Sequence, residues 1–330
     1  MNLKRFNKKQ IKTIRDGLQE GVDVSLYADP QYDWAQMEQI CFGLEDDLDT
    51  SVYTDSKFDA KQMSEIRWGL KDNLNVSVYA DPKYDWKQMH QIRKGLEKGL
   101  DVSIYANPEF DYAQMREIRE GLEHGLDVSI CADPKFNARQ MGEIILGLKR
   151  NHVDVSLYAD PKYDAAQMCE IRLGLERKLD TSIYADIKYD ADQMKQIRKG
   201  LESGLDVSLY ADTKYNYEQM DQIRQGLSEG LDASLYADPK YDWTKMGVIR
   251  EGLGQGLDAS IYADPKYSWE QMVKIRRGLE DGLDVSVYAN PKYDYEQMEK
   301  IRANLEKNLK AEKDHPAVQI NKPTGKGLER

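Results

Sequence analysis

The residues most able to do chemistry in this chain are arginines that return at one place in a repeating frame: Arg67, Arg93, Arg119, Arg172, Arg198, Arg224, Arg250, Arg276 and Arg302, with Arg15 aligned ahead of them. A row of guanidinium groups can read phosphates or carboxylates through paired N–H donors. The column lies four residues after a recurring methionine and three before a leucine, at the edge of an apolar face. Where arginine is missing, Cys41 and Ile145 replace it and lysine does not. A position that accepts Arg, Cys or Ile is expected to be half-buried. The column is therefore read as structural, with stems packed on the seam between units and heads paired with the Asp caps of an adjacent unit.

Other chemistry finds less support. His90, His124, His152 and His315 lack metal-ligand spacing, and no nucleophile-elbow, Walker or zinc motif occurs. No catalytic residue, metal or cofactor is expected, and the chain is not read as an enzyme. Cys41, Cys131 and Cys169 lie far apart in sequence, which fits a reducing compartment and a cytoplasmic location.

Two columns vary inside the frame. One runs Phe42, Trp68, Lys94, Glu120, Leu146, Leu173, Lys199, Gln225, Glu251, Arg277 and Ala303; the other sits just after each methionine and includes Glu38, His90, Arg116 and Cys169. Positions the fold does not dictate tend to line the binding face of a repeat array. Phe42 with Trp68, and Leu146 with Leu173, would place large apolar anchors on successive units. The expected partner-binding residues are Phe42, Trp68, Lys94, Glu120, Leu146, Leu173, Lys199 and Arg277.

The frame that positions these columns is set by methionine at 37, 63, 89, 115, 141, 168, 194, 220, 246, 272 and 298, a step of 26 residues with one of 27 between Met141 and Met168. Within one copy, Asp85 and Gln88 form a capping box, with Tyr84 and Met89 spaced for a hydrophobic staple. Trp86, Met89, Ile92, Leu96 and Leu100 keep helical spacing, and Gly99 supplies a left-handed stop. A helix over 85–98 is predicted. Asp101 then opens a shorter helix, DVSIYA, which Asn107-Pro108 ends. Gly95, inside the long helix, recurs in nearly every copy and implies close contact there, because mid-helix glycine costs roughly 1 kcal/mol against alanine. The methionines and the tyrosines of the short element (Tyr27, Tyr53, Tyr79, Tyr105 and their successors) are read as core, each ring buried and its hydroxyl solvated.

One unit cannot bury its apolar residues alone, but stacked units can. The expected fold is all-α: an α-solenoid of about eleven 26-residue helix-turn-helix repeats. Residues 1–22 form a polar, basic N-terminal capping repeat, 23–309 the array, and 310–330 a disordered tail. An irregular unit near 135–160 carries the one-residue insertion, Ile144-Ile145-Leu146 and Phe136-Asn137-Ala138, with Cys131 in the tyrosine place just before it. It reads equally as a bend, a contact site or neutral drift.

The phrase QM-xx-IR-x-GL-xx-GLDVS-x-YADPK-Y, as in Gln88–Leu100 and Asp101–Tyr105, resembles tandem helical repeats of uncharacterised bacterial and mobile-element proteins over residues 6–308. That resemblance implies helical architecture and no agreed activity.

Net charge is −11. Residues 1–15 hold six Lys/Arg and no acid, and residues 309–330 hold five bases and three acids, which leaves −19 on the array between them. That sign opposes attraction to a phosphate backbone and favours a basic partner. No segment approaches the roughly 20 apolar residues of a membrane span. The leading expectation is a non-enzymatic scaffold for a protein partner, basic or itself nucleic-acid-binding. The alternatives are modular binding of single-stranded RNA or DNA through the arginine column, and a mobile-element anti-defence protein that occupies a nucleic-acid-binding enzyme.

Overall fold

A computed structural model describes residues 3–314 of the chain. The described residues are helical and turn structure without a strand, in the regular helix-on-helix order of an α-solenoid. The chain divides into two compact units, with the boundary between Glu176 and Arg177. The first unit holds α1 (Lys8–Gln19), α2 (Trp34–Glu45), α3 (Ala60–Lys71), α4 (Trp86–Glu97), α5 (Tyr112–Glu123), α6 (Ala138–Leu148) and α7 (Ala165–Glu176). The second holds α8 (Ala191–Glu202), α9 (Tyr217–Ser228), α10 (Trp243–Gly254), α11 (Trp269–Glu280) and α12 (Tyr295–Asp314). Inside each unit every helix packs on the next.

Each helix begins and ends where its residues dictate. In α4 the Asp85 carboxylate accepts from the Lys87 and Gln88 amides, while the Gln88 side chain accepts from the Asp85 amide. At the other end the Leu100 amide donates to the Gly95 carbonyl at 3.0 Å and the Gly99 amide to the Leu96 carbonyl at 2.9 Å, a Schellman closure with Gly99 at φ 68°. Asp47, Asn73 and Lys178 take the same left-handed place in other copies.

The second element is shorter than the sequence suggested. It is a three-residue 3-10 turn, Val102–Ile104 in this copy, capped by Asp101 through the Ser103 amide. The copy with Cys131 forms only a turn there. In the next copy the insertion shortens α6 to 11 residues, and the closure runs through Arg150 to the Gly147 carbonyl without a left-handed residue. At the C-terminus α12 continues through residues 310–314, where a tail was expected; the rest of that expectation, 315–330, lies outside the described residues.

The tyrosine column corrects a second expectation. The ring of Tyr105 is fully buried, and so is its hydroxyl, which donates to the Gln91 carbonyl at 3.2 Å. In α-helical geometry that carbonyl already accepts the Gly95 amide, so the tyrosine uses its second lone pair. A Cβ on residue 95 would stand 1.9 Å from the hydroxyl oxygen, which accounts for the mid-helix glycine. Units are also stitched by polar contacts. The Gln88 amide group donates to the Phe110 carbonyl of the next copy at 2.6 Å, and the Tyr84 hydroxyl to the Ala106 carbonyl at 2.7 Å.

Candidate partner-binding face

The arginine column is half-buried against the preceding helix, as expected, with Arg67, Arg93 and Arg198 buried, but most of its partners differ from those expected. The N-cap aspartates are committed to their own capping boxes. The arginine Nε instead donates to a Gln or Glu on the preceding helix, 28 residues earlier from Arg67 to Gln39 at 3.2 Å, Arg93 to Glu65 at 2.8 Å and Arg119 to Gln91 at 3.0 Å, and 29 residues earlier, across the insertion, from Arg172 to Glu143 at 2.8 Å. In the second unit Arg224 reaches Gln196 at 2.9 Å and Arg250 reaches Gln222 at 3.1 Å. The terminal nitrogens bind a glutamate one turn on, as in Arg93–Glu97, Arg172–Glu176 and Arg198–Glu202, or a residue at the preceding helix end, as in Arg67–Asp46 and Arg250–Glu229.

Burial alone would raise the Glu65 carboxyl, but hydrogen bonds from His90 and Arg93 outweigh it and hold its pKa below the usual carboxylate range. The stems pack as the sequence implied. Cδ of Arg250 and of Arg276 lies 3.7 and 3.6 Å from where a Cβ on Gly226 and Gly252 would stand, and Cδ1 of Ile145 reaches 3.5 Å from the same place on Gly121. Arg276 is an exception among the heads. Position 248 is valine rather than Gln or Glu, and the buried Arg276 Nε has no hydrogen-bond partner.

The two variable columns share one helix face. In α4 they are His90 and Lys94, and the first helical residue, Trp86, lies in line with them at i, i+4 and i+8. Each helix therefore carries a three-residue outer ridge, such as Trp34–Glu38–Phe42, Tyr112–Arg116–Glu120 or Trp269–Val273–Arg277. Of the expected anchors, Phe42 (38 %), Trp68 (42 %) and Leu146 (44 %) are exposed, whereas Leu173 is half-buried. Arg67 brings the first pair together, its guanidinium carbon 5.5 Å from the Phe42 ring centre and 4.7 Å from that of Trp68. Lys94, Glu120 and Lys199 are half-buried and Arg277 is exposed. Lys94 pairs with Glu97 at 2.7 Å, and Glu120 lies 3.7 Å from Arg119.

The first residue of the ridge is not singled out by the sequence reading, in which Trp86 counts only among the apolar residues at helical spacing. Its column (Trp34, Ala60, Trp86, Tyr112, Ala138, Ala165, Ala191, Tyr217, Trp243, Trp269, Tyr295) alternates among Trp, Tyr and Ala, a narrower choice than in the other two, four residues before one of them. That shared spacing was the available signal. Shallow grooves between successive helices are lined by this ridge: Trp86, His90 and Tyr112 in the first unit, Tyr217, Asp221 and Trp243 in the second.

Cys41 and Cys131 are buried, and burial pushes their thiols up to about 11 and about 12. Among the described residues no cluster of His, Cys, Asp or Glu could hold a metal ion, and no helix is long and apolar enough to cross a membrane. Comparison with protein-family models, curated proteins and solved structures returned no match to this chain.

Proposed function

We propose that this chain is a non-enzymatic protein-binding scaffold whose partner lies across the outer ridges of its helices. The observation that carries the reading is the exposure of Phe42, Trp68 and Leu146, large apolar residues at positions the repeat leaves free, on a frame that is otherwise tightly specified. The arginine heads are already engaged by Gln and Glu side chains of their own array, which favours a protein partner over phosphate readout. The charge of the array favours a basic partner, including a nucleic-acid-binding protein that the array would inhibit by occupying its binding surface.

The test is affinity capture with the full chain and with a Trp68→Asp/Leu146→Asp variant, with protein and nucleic acid quantified together. A stoichiometric protein held by the wild type and lost by the variant, with helicity unchanged, is the expected result. If that partner is a nucleic-acid-binding protein, added nucleic acid displaces the array from it. Nuclease-sensitive RNA or DNA recovered without protein, or a partner retained fully by the variant, overturns the reading.

A further inference from the structure

The aromatic residues at helix starts fall into two groups that differ in what stands over their rings. In the first unit each has a lysine from the preceding helix on its face. Lys9 Nζ is 4.5 Å from the Trp34 ring centre, Lys61 Nζ is 4.8 Å from that of Trp86, and Lys87 Nζ is 4.5 Å from that of Tyr112. All three lysines are the second residue of their helix and precede the ring by 25 residues. These are cation–π contacts that the array makes with itself.

In the second unit the aromatic residues are Tyr217, Trp243, Trp269 and Tyr295, the first residues of α9 to α12. The positions 25 residues earlier hold Asp192, Glu218, Thr244 and Glu270. Among the described residues no cation stands over these four rings, and they are 42, 46, 47 and 48 % exposed. Three of the four places that would hold a capping lysine thus hold a carboxylate. Tyr217, Glu218, Asp221 and Trp243 line one groove, in which Lys199 is the basic lining residue, and Trp243, Trp269 and Glu251 line the next, in which Arg250 is the basic one. The Tyr217 phenol is pushed above its ordinary range, first by Glu218 and, after a small burial effect, by Asp192 and Asp190, so negative charge surrounds the ring.

An aromatic face beside a carboxylate takes a cation from outside: the ring quadrupole attracts it and the carboxylate supplies a charge-assisted hydrogen bond. We propose that Tyr217, Trp243, Trp269 and Tyr295, with Asp192, Glu218 and Glu270, form a row of sockets for the Lys and Arg side chains of a basic polypeptide. This rests on the protein-binding reading above and names the partner's chemistry. Packed helices lie about 8–10 Å apart and an extended chain rises about 3.3 Å per residue, so successive sockets match a basic residue at about every third position.

The test uses the full chain and a fluorescein-labelled peptide, four repeats of Lys-Gly-Ser, with anisotropy as readout. Glu218→Lys/Glu270→Lys places lysines in the register of Lys61 and Lys87, closing the sockets from within. This variant, and separately Trp243→Ala/Trp269→Ala, is expected to weaken peptide binding about tenfold or more. Glu109→Lys/Glu306→Lys makes the same charge change at exposed sites off the sockets, and is expected to bind within about threefold of wild type. Absence of binding to the wild type overturns the inference. So does an equal loss in the socket and control charge variants, or wild-type affinity in the tryptophan variant. None of these results bears on the Trp68 and Leu146 anchors, whose failure is read separately in the capture experiment.

Discussion

The hydroxyl of Tyr236 occupies space that only a glycine at residue 226 leaves open: it stands 1.9 Å from where a Cβ would be and donates to the Gln222 carbonyl at 3.3 Å. The pair lies in a copy where Ala233 replaces the usual valine, so the tyrosine is the one close obstacle. Gly226→Ala gains about 1 kcal/mol of helix propensity but overpacks the site at a cost of about 1–3 kcal/mol and displaces a part-buried hydrogen bond. A net loss of about 1–2 kcal/mol is expected in urea unfolding. Tyr236→Phe removes the obstructing atom, so Gly226→Ala in that background should cost less than in wild type. Equal cost in both backgrounds would break the link between glycine and hydroxyl.

Val248 leaves Arg276 Nε without an acceptor, whereas Gln222 serves Arg250 at the equivalent place at 3.1 Å. Val248→Gln should restore the bond and raise stability by about 1 kcal/mol, while Val248→Ala, which supplies no acceptor, should lower it. Denaturant midpoints of the two variants check this directly.

Glu299 is held down to about 2 by hydrogen bonds from Arg302 and, more weakly, Lys274, against a smaller opposing effect of burial. A carboxyl depressed in the folded state stabilises it above the ordinary pKa near 4.5, and that contribution is lost as pH falls toward 2. Side-chain exposure of 37 % screens the pair and keeps the effect modest. Wild type should therefore exceed Glu299→Gln in thermal stability at pH 6, with the gap closing between about pH 4.5 and 2. A gap independent of pH would show that the variant acts through packing rather than charge.

Much of this molecule was legible from its residues because its information is local and repeated. Asp85 with Gln88 and Gly99 with Leu100 set both ends of a helix through contacts a few residues apart, so its bounds could be read in advance. The recurrence of Gly95 announced a close approach without saying to what. Tertiary structure decided which groups meet across units. The Tyr105 hydroxyl was buried by reaching a spare carbonyl lone pair, and the arginine Nε groups chose Gln and Glu residues of the preceding helix over the N-cap aspartates. Trp86 was placed on the outer face, because its direction depends on where the neighbouring helix packs rather than on its own hydrophobicity. The contrast between lysine-capped rings in one unit and open rings in the other is likewise a property of packing: residues 25 apart become neighbours only when two helices lie side by side.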